Sequence, residues 1–288
     1  MAPPPVEERS PWVIDLGARS YDVSTEALVM GIVNRTPDSF YDQGATFELE
    51  KSIRRAAQLV EDGADIIDVG GVRAGVGPEV SLDEEIDRVV PVIAAITERF
   101  DVAVSVDTWQ SAVADAAFSV GAACGNDISG FADPDYLDIA AKHGASVVAT
   151  HIRLRPRVDD PNPTYPNNDV IHACEEFLEE RLARALAAGL RPSQVIFDAG
   201  LDLGKTTPQS LELLRASRRL VALGQPLLLS ASNKGFLGEL LDLEIDERRD
   251  ATLGAVSFGV SMGCRVLRVH DVKGTKRVVR TLSAIFQS

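Results

Sequence analysis

Eight short apolar runs, each followed by a helical pattern, constrain this chain more than any other feature. They fall at residues 28–33, 66–69, 102–106, 124–128, 146–150, 195–197, 226–229 and 264–269. Unbroken apolar runs suit strands buried on both faces, and eight successive βα units close such a sheet into a (β/α)8 TIM barrel. The chain has 288 residues, and a barrel of about 250 residues accounts for that length better than two domains do. Residues 1–12, rich in Pro and polar groups, are expected to form a disordered tail, and 13–288 a single barrel domain.

Two helices can be read in detail. Ser81-Leu82-Asp83-Glu84 has the form of a capping box, and Ile86, Val89, Val90, Ile93 and Ile96 follow it on one stripe. A second helix is expected after Asn168-Asp169, with Ile171, Cys174, Leu178, Leu182 and Ala185 inward and Gly189 just past its end. Before it, residues 153–168 contain Pro156, Pro161, Pro163 and Pro166. Such a segment resists regular structure, so a long loop is expected on the ligand-binding face, acting as a mobile lid.

Charge and composition exclude several function classes. A formal net charge of −14 argues against nucleic-acid binding, which needs a basic surface. Within 265–280 the cations Arg265, Arg268, Lys273, Lys276, Arg277 and Arg280 face a single Asp271, and the last four read as a solvated helix face. No apolar run approaches the roughly 18 residues of a membrane span, and the first residues lack the basic start and apolar core of a signal peptide. A cytoplasmic protein is the expectation. Cys124, Cys174 and Cys264 are widely spaced and odd in number, which suggests reduced core residues rather than a disulfide framework or zinc site.

Barrel enzymes carry their chemistry at strand carboxyl ends. Here those positions are Asn34, Asp68, Asp107, Asn126, His151, Asp198, Lys234 and His270, all polar. After the first strand a turn dense in oxygen ligands follows, with Thr36, Pro37, Asp38, Ser39 and Asp42. Each residue also has a structural reading: Asp68 can bond neighbouring strand ends, His151 can be a satisfied half-buried ring, and Asp107 can cap a helix.

At these residues a family resemblance emerges. MGIVNRTPDSFYDQG at 30–44 resembles the first signature of bacterial dihydropteroate synthase, and GADIIDVGG at 63–71 resembles the second. VSVDTWQSAVADAA, GNDISG, VIFDAGLDLGKT, SASNKGF and LRVHDV continue the similarity in the family's order, from about Val29 to the C-terminus. The stretch from Gly200 to Thr206 has only three residues between its glycines and misses P-loop spacing, so an NTPase is not expected.

The resemblance implies condensation of a dihydropterin methyl pyrophosphate with p-aminobenzoate, releasing pyrophosphate with magnesium. It assigns Asp107, Asn126, Asp198 and Lys234 to the pterin, Asn34 to magnesium and pyrophosphate, and Arg268 with His270 to the pyrophosphate. Lys234, Arg268 and His270 would be catalytic. It further implies sulfonamide or sulfone inhibitors, and a homodimer through late helices around Leu253, Val256, Phe258 and Val260.

The departures from the family pattern cluster on one half of that site. Where the family reads glycine-glycine-glutamate-serine-threonine-arginine-proline-glycine, this chain reads Gly70-Gly71-Val72-Arg73-Ala74-Gly75-Val76-Gly77. Asn34-Arg35-Thr36 replaces asparagine-valine-threonine, Asp202-Leu203 replaces glycine-phenylalanine, and Gly235 removes the hydroxyl expected to touch the aminobenzoate carboxylate. The expectation is a synthase homologue with a retained pterin slot and absent or very weak synthase activity. The alternatives are a working dihydropteroate synthase, a transferase using a different pterin or amine, and a noncatalytic pterin or sulfonamide binder; a methyl-carrying pterin transferase ranks last, because no cobalamin module is present.

Overall fold

A computed structural model describes residues 12–35, 44–158, 160 and 162–287. The first-loop residues Thr36, Pro37, Asp38, Ser39 and Asp42 and tail residues 1–11 lie outside that set.

The described chain opens with a hairpin, β1 (Val13–Leu16) and β2 (Arg19–Asp22), which pair antiparallel. The barrel follows, as β3 (Leu28–Asn34), α1 (Gly44–Glu61), β4 (Ile66–Gly70), α2 (Leu82–Arg99), β5 (Ala103–Asp107), α3 (Ser111–Ser119), β6 (Cys124–Asp127), α4 (Tyr136–His143) and β7 (Ser146–Thr150). It continues through α5 (Val170–Ala187), β8 (Val195–Asp198), α6 (Thr207–Arg215), α7 (Ser217–Val221), β9 (Leu227–Leu229), α8 (Gly235–Leu241), α9 (Arg249–Ser261), β10 (Val266–Val269) and α10 (Val272–Gln287). Strands β3 to β10 pair in parallel and in sequence order, and β10 closes on β3. The expected (β/α)8 barrel is therefore present, with all eight strands overlapping the apolar runs.

Strand residues two apart share a face, and this period sorts the core into two layers. Outward residues such as Val29, Ile67, Val69, Val104 and Val106 pack under the helices. Inward residues Met30, Ile66, Ala103, Cys124, Val148, Ile196, Leu228 and Val266 form a second cluster together with Ile14, Leu16 and Val23. The hairpin thus plugs the amino end of the barrel. Sequence reasoning missed it, because four-residue strands at the edge of a Pro-rich start give little periodic signal. Trp12, assigned to the disordered tail, is tied down: its carbonyl accepts from Val23 N–H at 2.7 Å and its ring lies 5.2 Å from the Arg265 guanidinium.

Both helices start at their expected caps, but the box at Ser81 is half formed, because the Glu84 side chain pairs with Arg88. Ser81 Oγ accepts from Glu84 N–H at 3.2 Å, and Asp169 accepts from His172 N–H at 2.9 Å, each starting its helix. Val92 rather than Val90 is fully buried on α2, and Val170 rather than Ile171 on α5. All three cysteines are buried and free. Lys276 departs from the solvated face assigned to it: its side chain is 12% exposed and pairs with Asp65 at 2.8 Å, joining α10 to the loop before β4.

The loop after β7 is docked on both sides. Arg157 Nη2 donates to the Pro78 carbonyl at 2.5 Å, on the loop after β4. Tyr165 donates to the Gly204 carbonyl at 3.1 Å and Gln209 to the Pro163 carbonyl at 3.1 Å, on the other flank. These bonds tie the described residues of the loop to both neighbouring flanks, on the face where a lid is expected from the sequence.

Candidate active site

One strand period beyond the apolar inner layer, the same inward face turns polar. Asp68, Ser105, Asn126, Thr150, Asp198, Ser230 and Arg268 succeed the plug layer, with only Ile32 apolar. Asn34, Asp107, Ser232 and His270 come next toward the mouth. An outward position on the same strands meets helices instead, and His151 falls there. Its ring stands 5.1 Å from Phe177 and 5.9 Å from Tyr165, and burial keeps its pKa well below the ordinary imidazole range. His151 is a packed histidine, outside the cavity wall.

The centre of the polar layer is an arginine between two carboxylates. Arg268 donates from Nε to Asp68 Oδ2 at 2.7 Å and from Nη2 to Asp107 Oδ2 at 2.6 Å. Asn126 Nδ2 adds a third bond, to Asp68 Oδ2 at 3.1 Å. Burial raises the Asp107 carboxyl to about 7 against the pull of Arg268, with Asp68 and Glu85 adding to the rise. Burial opposes the Arg268 charge, yet Asp68 and Asp107 hold its pKa above the usual value. Arg268 was expected to belong to the anion pocket. It also ties β10 to Asp68 on β4 and Asp107 on β5, which its position in the sequence does not reveal.

Asp68 is fully buried, and its Oδ1, like Thr150 Oγ1, has no protein partner among the described residues. Polar oxygens left without a protein partner are groups that a ligand N–H or a bound water can satisfy. Asp198 and Lys234 complete this end. Burial raises the Asp198 carboxyl, opposed by the Gly200 N–H bond at 2.8 Å and by Lys234. Burial lowers Lys234, opposed by Asp202, Asp198 and Asp107.

At the rim, Ser232 organises His270. Ser232 Oγ accepts the His270 backbone N–H at 3.2 Å and lies 2.9 Å from Nδ1, within hydrogen-bond reach. In the tautomer where the Ser232 hydroxyl donates to Nδ1, the ring proton sits on Nε2, available to an anion. The enclosing rim, then Arg268, Arg55 and Lys234, lower His270 to about 4 although one face of the residue remains exposed.

The loops define the remaining walls. Lys205 is buried and donates to the carbonyls of Gly200 at 2.8 Å, His151 at 3.0 Å and Leu203 at 3.1 Å. Burial lowers it to about 8. It holds a loop in which Gly200, Asp202 and Gly204 all have positive φ. On the other side Arg88 donates to the Gly71 carbonyl at 2.7 Å and pairs with Glu84. Arg35, which departs from the family's valine, turns outward and donates to the carbonyls of Arg88 at 2.8 Å and Asp87 at 3.0 Å.

Between these loops lies a cavity of about 500 Å³, reached by Ala74, Gly75 and Val76 from one side and by Asp202, Leu203, Lys205 and Lys234 from the other. Ala74 and Gly75 present no side-chain donor to it. Among the described residues, no three His, Cys, Asp or Glu side chains form a metal-ligating group.

Residues 30–270 match the family model described as pterin binding enzyme. The chain belongs to the dihydropteroate synthase family. It is 44% identical over 266 residues to the Mycobacterium leprae protein named inactive dihydropteroate synthase 2, covering 90% of each chain. It is 40% identical over 270 residues to the dihydropteroate synthase of Bacillus subtilis, covering 93% of this chain and 91% of that one. The Yersinia pestis dihydropteroate synthase solved in complex with a sulfonamide drug superposes with a TM-score of 0.89 at 33% identity, covering 96% of this chain and all of that one.

Within this family fold, the structure brings Asp107, Asn126, Asp198, Lys234 and Arg268 to one end of the barrel, with Asn34 and His270 at the rim. Ser232 and Lys205 were not singled out from sequence, and Asp68 was named only as a strand-end position with no ligand assigned to it. Strand parity was the available signal for Asp68 and Ser232; Lys205 offered none, since its bonds are all to distant carbonyls.

Proposed function

We propose that this chain binds a pterin-type ligand between Asp107, Asn126, Asp198 and Lys234 and has lost, wholly or nearly, the condensation of dihydropterin pyrophosphate with p-aminobenzoate. One observation carries this reading. The floor of the slot keeps its carboxylates, amide and ammonium, while at the two loop positions where the family resemblance places threonine and arginine the chain has Ala74 and Gly75, which carry no side-chain donor. Carboxylates and an amide complement the amidine edge of a pterin, and Lys234 complements its carbonyl. Arg268 and His270 Nε2 remain for the diphosphate, and Lys234, Arg268 and His270 are the residues that would act in any residual transfer.

Departure of pyrophosphate concentrates charge, and each missing donor costs about 3 to 4 kcal/mol of transition-state stabilisation, a hundredfold or more in rate. Asn34 suits magnesium as a single neutral oxygen ligand, since this ion commonly takes its other ligands from phosphate and water. When bound there, it would neutralise the leaving diphosphate. The M. leprae relative's name and the sulfonamide bound to the Y. pestis relative support an inactive pterin and sulfonamide binder.

A homodimer is part of the same reading, with one change of residues. Val256 and Val260 are buried in the core, whereas Phe258 is exposed beside a groove lined by Pro208, Leu211 and Leu214, so these would form the interface. No helix among the described residues is long and apolar enough to cross a membrane, and a cytoplasmic site is the corresponding proposal.

The test is pyrophosphate release and calorimetry on the wild type and on Ala74→Thr combined with Gly75→Arg. A Cβ at Gly75 meets nothing within 4 Å, so the arginine can be built without moving the chain. The wild type is expected to bind hydroxymethyl-dihydropterin pyrophosphate with turnover at least about a hundredfold below an ordinary synthase, and the double variant to gain rate. Ordinary turnover by the wild type would refute the proposal.

A further inference from the structure

Asp202 occupies a backbone conformation that disfavours it and holds its carboxylate where the second ligand should enter. Its φ is +66°, in the left-handed region, where the family resemblance places glycine. Both carboxylate oxygens lie 3.2 Å from the Phe236 backbone nitrogen and accept its N–H, and the Asp202 N–H donates to Ser210 Oγ at 3.2 Å. No cation among the described residues lies within ion-pair distance of this carboxylate, although its field stabilises the charge on Lys234. It forms part of the wall of the 500 Å³ cavity next to Lys234.

The neighbouring residue is matched to it. A Cβ added at Gly235 would stand 3.2 Å from Asp202 Oδ2, tighter than most side-chain contacts, so a hydroxyl-bearing residue there would press on this carboxylate and shift it by a few tenths of an ångström. The hydroxyl removed at Gly235 is the group expected to touch the aminobenzoate carboxylate. Asp202 therefore sets a fixed negative charge beside the place where that donor would stand.

We propose that Asp202, paired with Gly235, is a specificity-determining residue that excludes carboxylate-bearing amines and selects a neutral or cationic amine beside the pterin. This deepens the pterin-binding reading and rests on it. Among the other cations of the wall, Lys205 is held by three carbonyls and Arg157 by Pro78, while Lys234 and Arg155 also line the cavity, so the selection rests on the place of Asp202 beside Gly235 and not on the sign of the whole wall. Like charges in contact are a standard device for rejecting one of two isosteric ligands.

The matched probes are 4-aminobenzoate and 4-aminobenzamide, equal in shape and different in charge. Each is titrated by calorimetry into protein loaded with hydroxymethylpterin and inorganic pyrophosphate, for wild type, Asp202→Gly and Asp202→Gly combined with Gly235→Ser. Glycine relieves the positive φ, so the variants are expected to fold. The wild type is expected to bind the amide at least about tenfold tighter than the acid, and the double variant to lose or reverse that preference. A wild type that binds both equally, a ratio that stays within about twofold across the three proteins, or binding of neither amine by any of them would overturn the assignment. Failure of the pterin itself to bind would instead refute the slot reading, and this inference with it.

Discussion

Removing the Arg268 guanidinium tests the central ion network most directly. In Arg268→Met, Asp68 keeps only the Asn126 bond and stays fully buried, while Asp107 faces it with its ion-pair partner gone and only the field of Lys234 to offset its charge. Breaking a buried pair by deleting one partner costs about 3 to 5 kcal/mol. At about 2 to 4 °C per kcal/mol for a domain of this order, the melting temperature should fall by roughly 10 °C. The loss should also depend on pH, with a definite sign. Asp107 is already raised to about 7, and losing Arg268 raises it further. A carboxyl whose folded pKa is raised binds a proton more tightly folded than unfolded, so it disfavours folding increasingly as pH rises through that pKa. The variant's deficit should therefore be larger at pH 9 than at pH 6. Adding Asp68→Asn should recover most of the stability, because the remaining carboxyl can take up a proton. Circular-dichroism melts of the three proteins at both pH values provide the measurement. A single variant melting within about 2 °C of the wild type at pH 9, or a double variant no more stable than the single, would refute the reasoning.

Other consequences follow from the same geometry. Gly200 and Gly144 have nearly equal positive φ, +64° and +65°, but a Cβ on Gly200 would enter the His151 carbonyl oxygen while one on Gly144 meets nothing within 4 Å. Urea unfolding should show Gly144→Ala costing about 1 kcal/mol and Gly200→Ala at least about 2 kcal/mol more; equal losses would contradict the packing described. His270, lowered to about 4, contributes stability that is full above about pH 6.5 and declines as pH falls toward 4. A bound diphosphate raises its pKa, so inorganic pyrophosphate should gain affinity in the wild type relative to His270→Gln as pH falls from 7 to 5, measured by calorimetry; parallel pH profiles would remove His270 from the anion site.

The barrel was legible because eight apolar runs at regular intervals leave few other ways to bury them, and because Ser81 and Asp169 cap their helices through local bonds. The strand-end polar residues were legible for the same reason: Asn34, Asp107, Asn126, Asp198 and His270 follow the ends of apolar runs. His151 shows the limit of that signal, since one residue of strand parity separates the cavity from the α5 face. The β1–β2 plug also escaped, its burial being supplied by distant inward side chains.

Sequence by itself determined the fold, the family and the imbalance between an intact pterin end and a loop stripped of donors, because these depend on residue identity and short-range spacing. Tertiary structure alone decided that Arg268 joins Asp68 to Asp107, that Lys205 holds three carbonyls, and that Asp202 meets Phe236 and Gly235. Each of these contacts joins residues brought together by barrel closure or by left-handed loop turns. Their energies depend on distance and burial, quantities that chain order does not carry.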